Sequence, residues 1–353
     1  MNRKVIFLLL LNVVVGVLIV VSSHSWFTVW VGLELNTLSI LCLLCYDFSP
    51  RNVESTVKYF LVQAFSAGII LNVALIQLRL YSSWSISNPL SYFGSVMLTL
   101  AISLKLGLFP CHFWFPDVIQ GVGFLQGLLL STWQKVAPFV ILINVHSSIN
   151  SFILISLGSV SVLIGGWGGL NQVQMRKIMA FSSISHIGWV CSVLSVSIST
   201  SCVMFIIYII LSSAMFLVNN EVNLYNLSIL GRLVYYNPWV SILLILVVLS
   251  LGGLPPLTGF LSKFLALSCL LNSNLIFFSI ILIFGSLLNL FFYLRIGFNS
   301  VLCLFPQHSM MLFTWRSVLV FGGKSSWSSM LLGILLSSSI FGLLSFPMFV
   351  SFI

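Results

Sequence analysis

Charge is scarce in this sequence. Asp, Glu, Lys and Arg make up 5% of its 353 residues, and only five residues are acidic. Soluble globular domains carry about 25% charged residues, so this composition excludes a water-soluble protein. Hydrophobic residues instead make up 59% of the chain. Because about 20 consecutive apolar residues span a bilayer, the composition predicts an all-α, multi-pass membrane protein.

Several functional signatures are also missing. The alternating pattern of an outer-membrane barrel does not occur, and the seven cysteines show neither disulfide spacing nor an iron-sulfur cluster motif. The glycines of 165–169 lack the G-x-G-x-x-G spacing of a dinucleotide site. The 14 basic residues are dispersed and form no patch, which argues against a nucleic-acid partner. Any electron chemistry therefore has to occur on another polypeptide.

Continuous apolar runs separated by turn residues predict eleven membrane spans. Two of the runs exceed 30 residues and contain proline near the middle, Pro110 in one and Pro255-Pro256 in the other. The segment 299–326 is less apolar, and we interpret it as a helix on the membrane surface. The predicted spans are 4–22, 25–45, 53–78, 92–122, 125–145, 151–170, 175–196, 201–221, 239–271, 274–298 and 327–349.

The basic residues at or beyond the ends of the spans predict the orientation. With eleven alternating spans, nine of them fall on the side of the N-terminus, and only Arg79 falls on the other. Loops on the interior side of a membrane are enriched in Lys and Arg. We therefore predict an interior N-terminus and an exterior C-terminus.

We single out five charged residues that lie within the apolar runs: Glu34, Lys58, Lys105, Lys135 and Lys263. A charge at the centre of a membrane helix opposes insertion by roughly 2.5 to 3.5 kcal/mol, so these side chains are expected to point into the protein. Lysines in file with a glutamate at one end are typical of a proton relay. The alternative for each lysine is a static partner or a side chain that reaches the interface, and for Lys58 that alternative has a ready partner in Glu54, one turn earlier.

The proline breaks coincide with the lysines. Pro110 follows Lys105, and Lys263 lies two turns beyond Pro256. Broken backbone inside a membrane requires burial or a hydrated cavity, although a simple packing kink is the alternative at either site. Aligning Ser103–Pro110 with Val248–Pro255 at an offset of 145 matches a glycine and a proline, which predicts two inverted repeats with discontinuous helices. The chain is thus expected to form one domain, 1–353, with repeats at about 4–145 and 151–298 and an extra C-terminal helix at about 327–349.

Two histidines complete the candidate site. His112 directly follows the first break, and His186 lies among serines inside the seventh predicted span. Either could pass protons between lysines. The alternative is a histidine that is hydrogen bonded and inert.

These residues lie in motifs that resemble the subunit 2 family of mitochondrial NADH dehydrogenase, an antiporter-like membrane subunit of respiratory complex I. The resemblance extends from about residue 24 to about residue 298. The motifs are Trp30-Val-Gly-Leu-Glu34-Leu-Asn36, Lys58-Tyr-Phe-Leu-Val-Gln63, Lys105-Leu-Gly-Leu-Phe-Pro110-Cys-His112-Phe-Trp-Phe-Pro116, Thr132-Trp-Gln-Lys135-Val-Ala-Pro138, Gly168-Gly-Leu-Asn-Gln172, Arg176-Lys-Ile-Met-Ala-Phe-Ser-Ser-Ile-Ser-His186 and Leu251-Gly-Gly-Leu-Pro-Pro256-Leu-Thr-Gly-Phe260.

The resemblance implies a proton-translocating, non-redox subunit of the mitochondrial inner membrane, with its N-terminus in the matrix. It implies a hydrophilic axis in which Glu34 and Lys105 form an ion pair, Lys135 is central and Lys263 faces a neighbouring antiporter-like subunit. It also implies that NADH, flavin, iron-sulfur clusters and ubiquinone bind to other subunits, so that no cofactor or metal is expected here. Cys111 departs from the family, which usually has a bulkier apolar residue at that position.

Two other function classes stay open. A free-standing cation/proton antiporter shares the fold and the lysines, but it should carry more ion-coordinating carboxylates than this chain has. A structural membrane scaffold would need no intramembrane lysines.

Overall fold

The computed structural model describes residues 3–46, 48–230, 238–255 and 257–301. That part of the chain contains thirteen α-helices, and its only β-structure consists of two isolated bridges. The helices are α1 (Arg3–Val21), α2 (Trp26–Leu44), α3 (Pro50–Tyr81), α4 (Tyr92–Leu106), α5 (Trp114–Gly121), α6 (Phe124–Ser131), α7 (Trp133–Asn144), α8 (Ser151–Leu170), α9 (Met175–Leu194), α10 (Ile198–Val222), α11 (Pro238–Gly252), α12 (Thr258–Asn272) and α13 (Ile276–Val301).

The apolar runs explain the helices. Eight helical segments of the described chain are long and apolar enough to cross a membrane, counting α6 and α7 together. The all-α, multi-pass fold is therefore confirmed. The eleventh predicted span, 327–349, and nearly all of 299–326 lie outside the described residues. The total of eleven spans and the two repeats stay predictions.

Helix α9 lies at the centre of the bundle. About 83% of its membrane-length segment is buried, and it packs most extensively against α8. Glycines allow this close approach, since a Cβ added to Gly158 on α8 would lie 2.7 Å from the carbonyl oxygen of Gly188 on α9. Small residues let membrane helices approach in this way. The helix that carries His186 is thus held inside the protein.

The two long proline-containing runs each form two helices. The first is divided into α4 and α5 and the second into α11 and α12. At the first break, Gly107 has a φ of +75° and the amide of Leu108 donates to the carbonyl of Ser103. At the second, Gly253 has a φ of +78° and the amide of Leu254 donates to the carbonyl of Leu249. Both helices therefore end in the same left-handed glycine motif.

This motif corrects the alignment of the two breaks by one position. Gly107 corresponds in conformation to Gly253, not to Gly252, so the offset is 146. In sequence, Pro256 then stands opposite Pro110. Pro256 itself lies outside the described residues, whereas Pro110 and Pro255 both lie in the breaks.

A third break was not predicted. The run 125–145 is divided into α6 and α7 at Thr132, although no glycine or proline lies there. The hydroxyls of Ser131 and Thr132 both donate to the carbonyl of Leu128, at 3.1 and 2.7 Å. Such bonds from Ser and Thr to the preceding turn bend helices.

We expect Gly107→Ala to destabilise the protein by about 1 to 2 kcal/mol, the cost of a left-handed conformation for a residue with a Cβ. The new methyl group would also lie 3.3 Å from Cβ of Phe115. The measurement is the rate of thermal inactivation in the membrane. Gly68→Ala is the matched control, because Gly68 lies inside α3 with open space around it. Equal inactivation rates for the two variants would contradict the requirement for a glycine at position 107.

Candidate functional site

Lys105 lies in the last turn of α4, next to the first break. Its side chain is buried, and Nζ donates to Oε1 of Gln63 on α3 at 3.4 Å. A cation near the C-terminus of a helix is stabilised by the helix dipole. Lys105 is therefore held by a neutral acceptor and a helix end.

The predicted ion pair between Glu34 and Lys105 is corrected by these contacts. Among the described residues, the direct ion pairs are those of Lys58, and Glu34 forms none. The half-buried Glu34 carboxylate instead accepts from the hydroxyl of Thr37 at 3.4 Å. Glu34 is close enough to interact electrostatically with Lys105. The two charges are neighbours that do not touch.

Amide side chains fill the space between the α2 and α7 sides of the site. Nδ2 of Asn36 donates to Oε1 of Gln134 at 3.2 Å, and Nε2 of Gln134 donates to the hydroxyl of Tyr59 at 2.7 Å. Tyr59 lies one turn before Gln63 on α3, so both face the same side of that helix. Gln134 directly precedes Lys135. Neutral polar groups thus extend from the surroundings of Lys105 to those of Lys135.

Lys135 is the most enclosed lysine of the site, with 1% of its surface exposed. Its Nζ donates to the hydroxyl of Tyr208 on α10 at 3.3 Å and lies 4.4 Å from the ring centre of Phe115. A cation over an aromatic face is attracted by the ring quadrupole. No carboxylate in the described chain pairs with Lys135, so its charge depends on these aromatic groups.

The third break, at Thr132, explains why the Tyr208 hydroxyl is bound beside Lys135. The amide of Lys135 donates to the carbonyl of Thr132, three residues earlier. The carbonyl of Ser131, which lies four residues before Lys135, accepts from the hydroxyl of Tyr208 at 2.6 Å. The break thus supplies the acceptor that fixes the tyrosine beside the lysine.

His186 and Lys263 line a small cavity beyond Tyr208. The centre of a water molecule can move within about 10 Å³ of this cavity, which is room for roughly one water. His186 Nε2 is 3.3 Å from the hydroxyl of Tyr293, and Nζ of Lys263 donates to the carbonyl of Gly252 at 2.8 Å. Lys263 therefore binds the carbonyl end of α11 at the second break.

His112 and Lys58, which were predicted to belong to the same site, lie elsewhere. His112 is buried in the first break, where its Nδ1 has no hydrogen-bond partner among the described residues. Lys58 is 44% exposed and pairs with Glu54 at 2.7 Å and with Asp117 at 3.8 Å. This corrects the prediction that Lys58 points into the protein, because a partner one turn earlier holds it near the start of α3.

The neutral members of the site were not among the predicted site residues. They carry no charge, so the charge pattern does not reveal them: Gln63, Gln134, Tyr59 and Tyr208. A usable signal was present, since glutamines inside apolar runs need buried partners. Among the described residues, His, Cys, Asp and Glu form no group of three or more that could hold a metal ion.

Comparison with known proteins identifies the family of the chain. A family model described as NADH:quinone oxidoreductase/Mrp antiporter, transmembrane, matches residues 23–289. NADH-ubiquinone oxidoreductase chain 2 of Pisaster ochraceus is 69% identical over 98% of both chains. This chain belongs to that family. The same protein of Patiria pectinifera is 58% identical over 99% of both chains.

A solved structure has the same fold as this chain. In respiratory complex I from Thermus thermophilus with bound aureothin, one chain matches with a TM-score of 0.84 and 24% identity. The match covers 98% of this chain and 80% of that chain. The bundle described above is therefore a known architecture.

We expect Gln63→Leu to shorten the thermal half-life of the assembled protein, because a buried ammonium then loses its acceptor at a cost of roughly 1 to 3 kcal/mol. The double variant Gln63→Leu with Lys105→Met removes both partners and should recover most of the half-life. A double variant at least as unstable as Gln63→Leu alone would contradict the contact between the two side chains.

Proposed function

We infer that the chain is a proton-translocating, non-redox membrane subunit of NADH:ubiquinone oxidoreductase. Electron transfer from NADH to ubiquinone takes place in other subunits, and other complex I subunits and the lipid bilayer are its partners. The inference rests on membership of the chain 2 family. We place the protein in the mitochondrial inner membrane, with its N-terminus in the matrix as the basic residues predict.

We propose that Lys105, Lys135 and Lys263 form the proton-translocation axis, with Glu34 at one end and His186 beside the last lysine. One observation carries this proposal: these lysines are anchored inside the bundle by neutral acceptors, Gln63, Tyr208 and the Gly252 carbonyl. A static ion pair would hold its proton. A lysine without a carboxylate partner can release one at a smaller cost.

The axis would act through electrostatics between neighbours. His186 interacts electrostatically with both Lys135 and Lys263, and Glu34 interacts with Lys105. A proton that arrives at one position therefore alters the free energy of protonation at the next. His112 and the breaks at Pro110, Pro255 and Pro256 belong to this proposal as the places where water can enter.

A free-standing cation/proton antiporter is the second candidate, because the family model includes Mrp antiporters. Of the acidic residues in the described chain, Glu54 and Asp117 pair with Lys58 at an exposed position, and Glu221 lies in the last turn of α10. Only Glu34 remains inside the bundle. One carboxylate is a poor site for a metal cation, so the proton-translocating subunit is the better proposal.

We expect Lys135→Met to leave assembly of the complex intact, because methionine fills a similar volume in an apolar site. Proton pumping and coupled NADH oxidation should fall at least tenfold per assembled complex, since a positioned proton carrier contributes about a hundredfold or more. The measurement combines both rates with the amount of complex on a native gel.

Lys177→Met is the matched control for charge removal. Lys177 lies in the first turn of α9, at the end of the bundle. This variant should pump and oxidise NADH at the normal rate. Unchanged pumping in Lys135→Met, or sodium-dependent transport by the intact complex, would refute the proposed axis.

A further inference from the structure

Tyr208 lies between Lys135 and the cavity. Its hydroxyl contacts Nζ of Lys135, and its side chain lines the cavity together with His186 and Lys263. Lys135 itself is not among the residues that line this cavity. Tyr208 therefore contacts both the lysine and the cavity.

The hydrogen bonds of the hydroxyl fix its direction. A phenol has one proton to donate and oxygen lone pairs to accept with. Because the carbonyl of Ser131 can only accept, Tyr208 donates its proton there, at 2.6 Å. Towards Lys135 the phenolic oxygen can then only accept, so a Lys135 N–H always points at it. The bond to Ser131 has to break before a proton can continue into the cavity.

The Tyr208 ring is also held firmly. The side chain is 3% exposed, and its ring lies 5.8 Å from that of His186 and 6.3 Å from that of Phe205. Rotation of the hydroxyl about its C–O bond needs no movement of this packed ring. The tyrosine can therefore change its donor direction while the bundle stays unchanged.

We propose that Tyr208 connects Lys135 to the cavity that holds His186 and Lys263, a proposal that rests on the proposed role of Lys135. In the step, the phenolic O–H turns from Ser131 to a water molecule in the cavity and gives up its proton. At the same time the Lys135 ammonium gives a proton to the phenolic oxygen. The tyrosine is neutral before and after, and one proton has passed from the lysine to the water.

The test is Tyr208→Phe in the assembled complex, which keeps the ring and removes the hydroxyl. Coupled NADH oxidation and proton pumping per complex should fall about tenfold, less than the usual loss of a proton carrier because water can replace a hydroxyl. Tyr225→Phe is the matched control. Tyr225 is 44% exposed and lies against Arg176, away from the lysines, so its variant should keep normal rates.

A double-mutant cycle that combines Tyr208→Phe with Lys135→Met distinguishes a proton-connecting role of Tyr208 from a packing role. If Tyr208 acts through Lys135, then Tyr208→Phe has no further effect on pumping when Lys135 is already Met. A packing role instead lowers the rate by the same factor in both backgrounds, and that result would overturn the proposal.

Tyr208→His gives a second readout. An imidazole can accept and donate protons, so the proposal expects this variant to pump faster than Tyr208→Phe. A packing role expects the reverse order, because the phenylalanine preserves the apolar contacts better. Rates are expressed per assembled complex, so a lower yield of either variant does not change the order of the pumping rates.

The outcomes also separate this proposal from the one on which it rests. Normal pumping by Lys135→Met refutes the proposed axis itself. Impaired pumping by Lys135→Met together with normal pumping by Tyr208→Phe refutes only the role of Tyr208.

Discussion

Backbone carbonyl groups inside a membrane need hydrogen-bond donors, and the site depends on how three broken helices meet that need. At the first break the indole of Trp114 donates to the carbonyl of Leu104 at 3.0 Å. At the other two, the donors are the hydroxyl of Tyr208 and the ammonium of Lys263. An unpaired buried carbonyl costs about 1 to 3 kcal/mol. At the second and third breaks these donors are Lys263 itself and Tyr208, which also binds Lys135, so these two breaks and the lysines stabilise one another.

The three lysines do not occupy equivalent electrostatic positions. Lys105 lies in the last turn of α4, and Lys263 binds the carbonyl end of α11, where the helix dipole stabilises a cation. Lys135 lies in the first turn of α7, where the dipole opposes a cation. Its charged form relies on the Tyr208 hydroxyl and the face of Phe115 instead. The central lysine is thus the one whose charge is least supported by the backbone, which suits the proton-carrying role proposed for it.

Much of this arrangement could be predicted from the sequence, because charge is rare and proline is conspicuous in an apolar chain. Lys105, Lys135 and Lys263 were identified as buried charges, and the runs that contain Pro110 and Pro255 were identified as broken helices. The break at Thr132 was missed because serine and threonine bend a helix only through bonds that depend on the local backbone. The Glu34 contact was misjudged because charge alone does not determine which acceptor is within reach. Tyr208 was missed because its contact with Lys135 joins α10 to α7, which are far apart in sequence.

The size of the cavity bears on which ions can pass. A space for roughly one water molecule is too small for a sodium ion with its hydration shell. Among the described residues that line it, the side-chain oxygens are the hydroxyls of Tyr208 and Ser262, too few to replace that shell. A proton moves by exchange of bonds along hydroxyls and single waters, so it needs no such volume. The tight packing around His186, Tyr208 and Lys263 would therefore exclude a hydrated cation from the proposed axis. On the proposed proton axis, the narrow space would thus favour protons without a dedicated binding site.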